Sequence, residues 1–181
     1  MKKIISFIFA SLFINVCFSQ SLQDTKDFIT EQVEASHSLP TCSNIIAFDN
    51  ILSSDANKIA NKTLTADERA NAFIYARETY SDNERTNWVG TEQTIIDLRD
   101  ISKVSTFQKA DGVYEIKVYA NQYYYKKMCV SSSTALPVWK DIDSMEIQIA
   151  DNPALAEKIK KAIIHLCKLK GIDVTDGDSL F

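Results

Sequence analysis

Few residues of this 181-residue chain have the type and spacing that chemistry demands. There are two histidines, His37 and His165. Zinc sites draw on close pairs such as H-x-x-x-H or C-x-x-C, and neither spacing occurs. Both histidines therefore read as ordinary boundary residues. Beyond the first twenty residues the cysteines are Cys42, Cys129 and Cys167. A cysteine nucleophile needs a thiolate, a base and an orienting group. Cys167 falls on an apolar helical stripe, so it reads as a buried, inert thiol. G-x-S-x-G is absent, and four glycines leave little backbone for a phosphate-cradling loop. Carboxylates do come in close sets: Asp97 with Asp100, Asp141 with Asp143, and Asp173 with Asp176 and Asp178. The last set lacks the D-x-D-x-D-G order and distant glutamate of a calcium loop, and reads as a solvated tail. Asp141 and Asp143 can share one face of an extended segment. Glycoside hydrolysis, however, needs two carboxyls several ångströms apart across a cleft. No catalytic residue, metal or cofactor is expected.

Aromatic residues are the remaining lead. Tyr123-Tyr124-Tyr125 reads as strand, so Tyr123 and Tyr125 share a face. Trp88 and Trp139 read as residues of flanking loops. Together these four rings are candidates to line a groove for a sugar, lipid or peptide. Core or surface packing is the competing use of the same rings.

The elements that would position them follow a targeting segment. Lys2 and Lys3 precede an apolar run from Ile4 to Val16, and Cys17-Phe18-Ser19 puts small residues before Gln20. Residues 1–19 thus read as a cleaved signal peptide, too short in its apolar part to span a bilayer. Removing it takes Lys+Arg from 20 to 18 against 24 Asp+Glu, a net charge of −6. Nucleic acid and anionic membrane surfaces need clustered positive charge, so neither is an expected partner.

Residues 20–172 have the length of one domain. Ser21 and Asp24 form a capping box for a helix to Ser36, with Leu22, Phe28, Ile29 and Val33 on one side. Asn44–Leu52 reads as strand. Residues 66–80 are ambiguous between helix and strand, and the loss of a 3.6-residue period beyond Ile74 favours strand for Ala72–Tyr80. Thr94–Leu98, Ile101–Phe107 and Val113–Ala120 read as further strands. Asn121-Gln122 is expected to turn the chain into Tyr123–Ser131, and Ser131–Asp143 to form a loop before a last strand around Met145–Ile149. The final helix is the clearest element. Asn152 caps it, Pro153 opens it and Gly171 stops it, while Leu155, Ile159, Ile163, Leu166 and Cys167 form its apolar stripe. Residues 173–181 read as a polar tail.

Helix, antiparallel strands and one long closing helix make an α+β plan, a curled sheet or small barrel. The segments SLQDTKDFITEQV, TIIDLRDISKVS and AEKIKKAIIHLCKLKG resemble uncharacterised exported bacterial proteins of Bacteroidetes type with a pleckstrin-homology-like domain. That resemblance implies an exported domain in the periplasm or outside the cell, and carries no catalytic residue across. The expected function is a non-catalytic binding or interaction module for a protein, lipid or small molecule. The alternative is a small exported enzyme with a carboxylate or cysteine site. If a disulfide forms, Cys129–Cys167 is the first expected pair and Cys42–Cys129 the second, with no bond favoured over either.

Overall fold

The computed structural model describes residues 21–36, 39–49, 70–109, 111–130 and 138–178, with backbone alone at 122–130 and 138–141. In chain order the elements are α1 (Leu22–Ala35), β1 (Cys42–Phe48), β2 (Ala72–Tyr80), β3 (Trp88–Asp97), β4 (Ile101–Gln108), β5 (Tyr114–Val130), β6 (Val138–Ile149), α2 (Pro153–Leu169) and β7 (Thr175–Asp176). The fold is α+β, and every strand pairing is antiparallel except β4 with β7.

Ser21 starts α1 as expected. Its hydroxyl accepts from the Asp24 N–H at 3.0 Å, and the Asp24 carboxylate accepts from the Ser21 N–H at 3.0 Å. Ile29 and Val33 then turn inward and are fully buried. At the other end of the chain Asn152 caps α2, accepting from the Leu155 N–H at 3.0 Å, and Pro153 occupies the first turn. Ile159, Ile163, Leu166 and Cys167 are fully buried by α2 in the same core as Phe73, Ile96, Ile116, Val118, Met145 and Ile147.

β5 organises the sheet, whose order is β1-β2-β3-β5-β4-β7, with β6 also on β5. Its first half, Tyr114–Ala120, pairs with β4, and its second half, Lys126–Val130, pairs with β3. β6 runs along both halves. The turn expected at Asn121-Gln122 is therefore absent. A register shift between Tyr119 and Tyr124 lies there instead, a bulge that lets the strand bend and continue. The polar pair that reads as a turn is equally at home in a bulge.

Two more expectations change. Trp88 opens β3 and Trp139 lies in β6, so neither belongs to a loop. β2 is a strand, as favoured, and Ala72–Ala76 are buried on both faces, which is why no simple alternation shows in the sequence. β1 ends at Phe48 because Asp49 takes a positive φ of 49°, and the remainder of the expected Asn44–Leu52 strand lies outside the described residues. Residues 66–69 of the stretch ambiguous between helix and strand lie there too.

The segment after Asp173 is no free tail where it is described. Thr175 and Asp176 pair with Lys103 and Val104, and the Gly177 N–H donates to the Val104 carbonyl at 2.8 Å. Lys160, only 2% exposed, donates to Asp176 and Asp178 at 2.9 Å each and pairs with Glu157 at 2.9 Å. Asp178 in turn accepts from the Thr106 N–H at 3.0 Å and hydroxyl at 2.7 Å. Reading Asp176 and Asp178 as part of a solvated tail missed their partner, because Lys160 looks like one more polar residue on a helix. Gly177 is required by space: a Cβ there would meet the Ser105 Cβ at 2.9 Å.

Two outcomes test this frame. Ile159→Ala and Ile163→Ala should each cost about 2–5 kcal/mol in chemical unfolding, as buried isoleucines do. Losses below about 0.5 kcal/mol at both would mean that α2 is not docked. The second test is acid. The Lys160 hydrogen bond holds the Asp176 carboxyl below its ordinary 3.8, and although burial pushes Asp178 upward, Thr106 and Lys160 outweigh it and lower that group as well. Depressed carboxyls stabilise above their ordinary pKa and lose that contribution as pH falls through the folded values. Hydrogen-exchange protection of the Thr106 amide should therefore hold to about pH 4 and drop below it. Protection already lost above about pH 4 would refute the clasp.

Candidate functional site

β1 stands at the edge of the sheet. The Tyr80 N–H donates to the Thr41 carbonyl and the Asp49 N–H to the Ala72 carbonyl, so the odd-numbered residues of this stretch bond to β2. Alternation then turns the N–H and C=O groups of Cys42, Asn44, Ile46 and Phe48 away from the sheet. The Cys42 N–H is taken by the Leu39 carbonyl at 3.0 Å, and the Ile46 N–H by a long 3.4 Å contact to Glu34 Oε1. No other strand pairs on this edge among the described residues.

α1 walls the edge without closing it. Gln23, Asp27, Thr30 and Glu34 recur at helical spacing on the face away from Ile29 and Val33. Together with Lys26 and Ile45–Asp49 they line a groove of about 520 Å³, within the size range of ligand clefts. Its wall around Asp49 is held by charge. Lys26 pairs with Asp49, whose other oxygen lies 3.7 Å from Lys170 of the α2 exit. Burial, then the Lys170 charge, lowers the Lys26 pKa. Asp27 and Glu34 have no salt-bridge partner among the described residues and add negative charge to the groove lining. Asn44 fixes the helix wall, donating to the Ser36 carbonyl at 2.6 Å and to the Gln148 carbonyl at 2.8 Å.

A second, polar hollow lies between β2, β3 and β6, lined by Tyr75, Arg77, Glu92, Thr94, Glu146 and Gln148. At about 20 Å³ it has room for one water. Tyr75 donates to Asn44 Oδ1 at 2.9 Å and accepts from the Gln148 N–H at 3.2 Å, while Arg77 donates to the Gln148 side chain. Burial pushes the Tyr75 phenol up to about 12. These bonds tie β1 and β2 to β6 and leave no space for a substrate.

The expected site residues do not converge here. Trp88 is 41% exposed, its ring N–H spent on Thr91 Oγ1 at 3.0 Å, and it lines neither hollow. The backbones of Tyr123 and Tyr125 lie in β5 and that of Trp139 in β6, but their side chains lie outside the described residues. His165 is half-buried on α2, and His37 is not among the described residues. Asp97 is engaged by Arg99 and caps the short turn that follows β3, and Asp143 is exposed beside Ser144. Among the described residues no three His, Cys, Asp or Glu side chains gather as metal ligands. No helix of those residues is long and apolar enough to cross a membrane. The groove residues were missed because a polar helix face looks like any solvated face; the spacing of 23, 27, 30 and 34 was the available signal. Comparison with family models, curated proteins and solved structures gives no match to this chain.

Cys42 opens β1, and both it and Cys167 are buried, free thiols. The Cys129 side chain lies outside the described residues. Burial pushes the Cys167 thiol up to about 12. Iodoacetamide should label Cys42 and Cys167 at least about a hundredfold more slowly in native than in urea-unfolded protein at neutral pH. Comparable rates would show an accessible thiolate and reopen cysteine chemistry.

Proposed function

We propose that the chain is an exported, non-catalytic binding module whose ligand seat is the groove between α1 and β1. The observation that carries this reading is an edge strand with outward backbone groups, walled by a helix whose polar row stands off from it. The chemically able residues support it by their engagements: Cys167 is buried as a neutral thiol, and Asp97, Asp176 and Asp178 are consumed by Arg99, Lys160 and Thr106. The resemblance to exported Bacteroidetes-type proteins belongs to the same proposal, as does the pleckstrin-homology-like layout. A bent antiparallel sheet closed by a 17-residue helix supports that layout.

Two measurements test it. Backbone amide shifts of the labelled protein, screened against small molecules and peptides, should move at Thr30, Glu34, Ile45 and Ala47 when a ligand is found. Shifts grouped around Trp88 instead would place the seat elsewhere. For export, mass spectrometry of protein from the native cell should give an N-terminus near Gln20. Recovery of full-length chain in the cytoplasm would refute it.

A further inference from the structure

We propose that this groove takes an extended cationic peptide segment as an added strand on β1, an inference that rests on the groove being the ligand seat. The backbone makes the first half of the argument. Asn44, Ile46 and Phe48 present outward N–H and C=O groups at the two-residue repeat an incoming strand would match. Unpaired edges of this kind are the standard template for strand addition, and proteins that do not use them blunt them with charge, proline or a tight cover. Here the cover is incomplete. α1 leaves a groove of about 520 Å³, and among the described residues the one side chain on an outward amide is Glu34, at 3.4 Å from the Ile46 N–H. A ligand carbonyl replaces that long contact with a normal one and releases the carboxylate.

Side chains make the second half. In an added strand, alternate residues face opposite sides of the sheet. Those on the side of Ile46 and Phe48 come under α1, where Asp27 and Glu34 carry charge that no described salt bridge neutralises. Those on the other side lie beside Ile45 and Ala47. The occupant that fits is a segment alternating lysine or arginine with small or β-branched apolar residues. Lys26 does not oppose it, since Asp49 holds that ammonium.

The test is fluorescence anisotropy of the purified protein with dye-labelled hexapeptides of alternating Lys and Val, alternating Glu and Val, and the Lys–Val peptide with N-methyl groups on its pairing edge. The Lys–Val peptide should bind and shift the Ile45–Phe48 amides. The Glu–Val and N-methylated peptides, and the protein variant Asp27→Asn/Glu34→Gln with native circular dichroism, should each lose at least about tenfold in affinity. Asp143→Asn/Asp173→Asn, an equal charge change at exposed residues outside the groove, should leave it unchanged. Equal binding of the acidic or N-methylated peptide, no loss in the double variant, or no binding of any peptide overturns the proposal. If another ligand shifts the groove amides while the peptides stay silent, the cationic strand is wrong and the seat stands. If the peptides shift amides elsewhere, both fall. Dilution-dependent shifts of the β1 amides without peptide would assign the edge to a second copy of the chain and likewise overturn it.

Discussion

One continuous strand sets the geometry of this protein. β5 has 17 residues, about 55 Å if straight, and it serves three neighbours: β4 along its first half, β3 along its second, and β6 along both. Such a length would splay β3 and β4 apart unless it bent, and the register shift between Tyr119 and Tyr124 is where it departs from β6. α2 packs into the core of this sheet with Ile159, Ile163 and Leu166. With the core committed there, β1 is left at the far edge of the sheet, and α1 is the helix that packs beside it.

Buried ammonium groups locate the parts that the core does not. Lys160 ties the C-terminal strap to α2, and Lys26 ties the end of β1 to α1 and, through Asp49, to Lys170. Burial opposes the charge on Lys160, but its bonds to Asp176, Asp178 and Glu157 outweigh that and raise its pKa. Pairs of this kind add modest net stability, because desolvation offsets much of the attraction. Their effect is positional. Removing one partner leaves an uncompensated charge, so each clasp tolerates only one arrangement of its segments. In the groove the consequence is electrostatic: Lys26 is spent on Asp49, while Asp27 and Glu34 have no salt-bridge partner among the described residues.

What the sequence revealed was governed by local rules, and what it hid was governed by partners far along the chain. The caps at Ser21 and Asn152 and the stripe on α2 were legible because each depends on residues within four positions of one another. The strand at Ala72–Tyr80 was legible from its failed helical period. Asn121-Gln122 misled because a turn and a bulge favour the same polar residues, and only pairing with β6 separates them. Trp88 and Trp139 were set in loops for a related reason, since strand ends are fixed by neighbours rather than by propensity. Asp176 and Asp178 lie 16 and 18 residues beyond Lys160, and nothing local joins them. The groove was the least legible of all, because an edge strand is defined by the strand that is missing beside it.

The claim on which the account turns is that the outer edge of β1 is unpaired in the free protein. Amide hydrogen exchange, read residue by residue, tests it most directly. Ser43, Ile45 and Ala47 bond to β2 and should exchange slowly, Ile46 should be intermediate through Glu34, and Asn44 and Phe48 should exchange at least about tenfold faster than their neighbours. Uniform slow exchange from Ser43 to Phe48 would show an edge already covered, and would contradict the account.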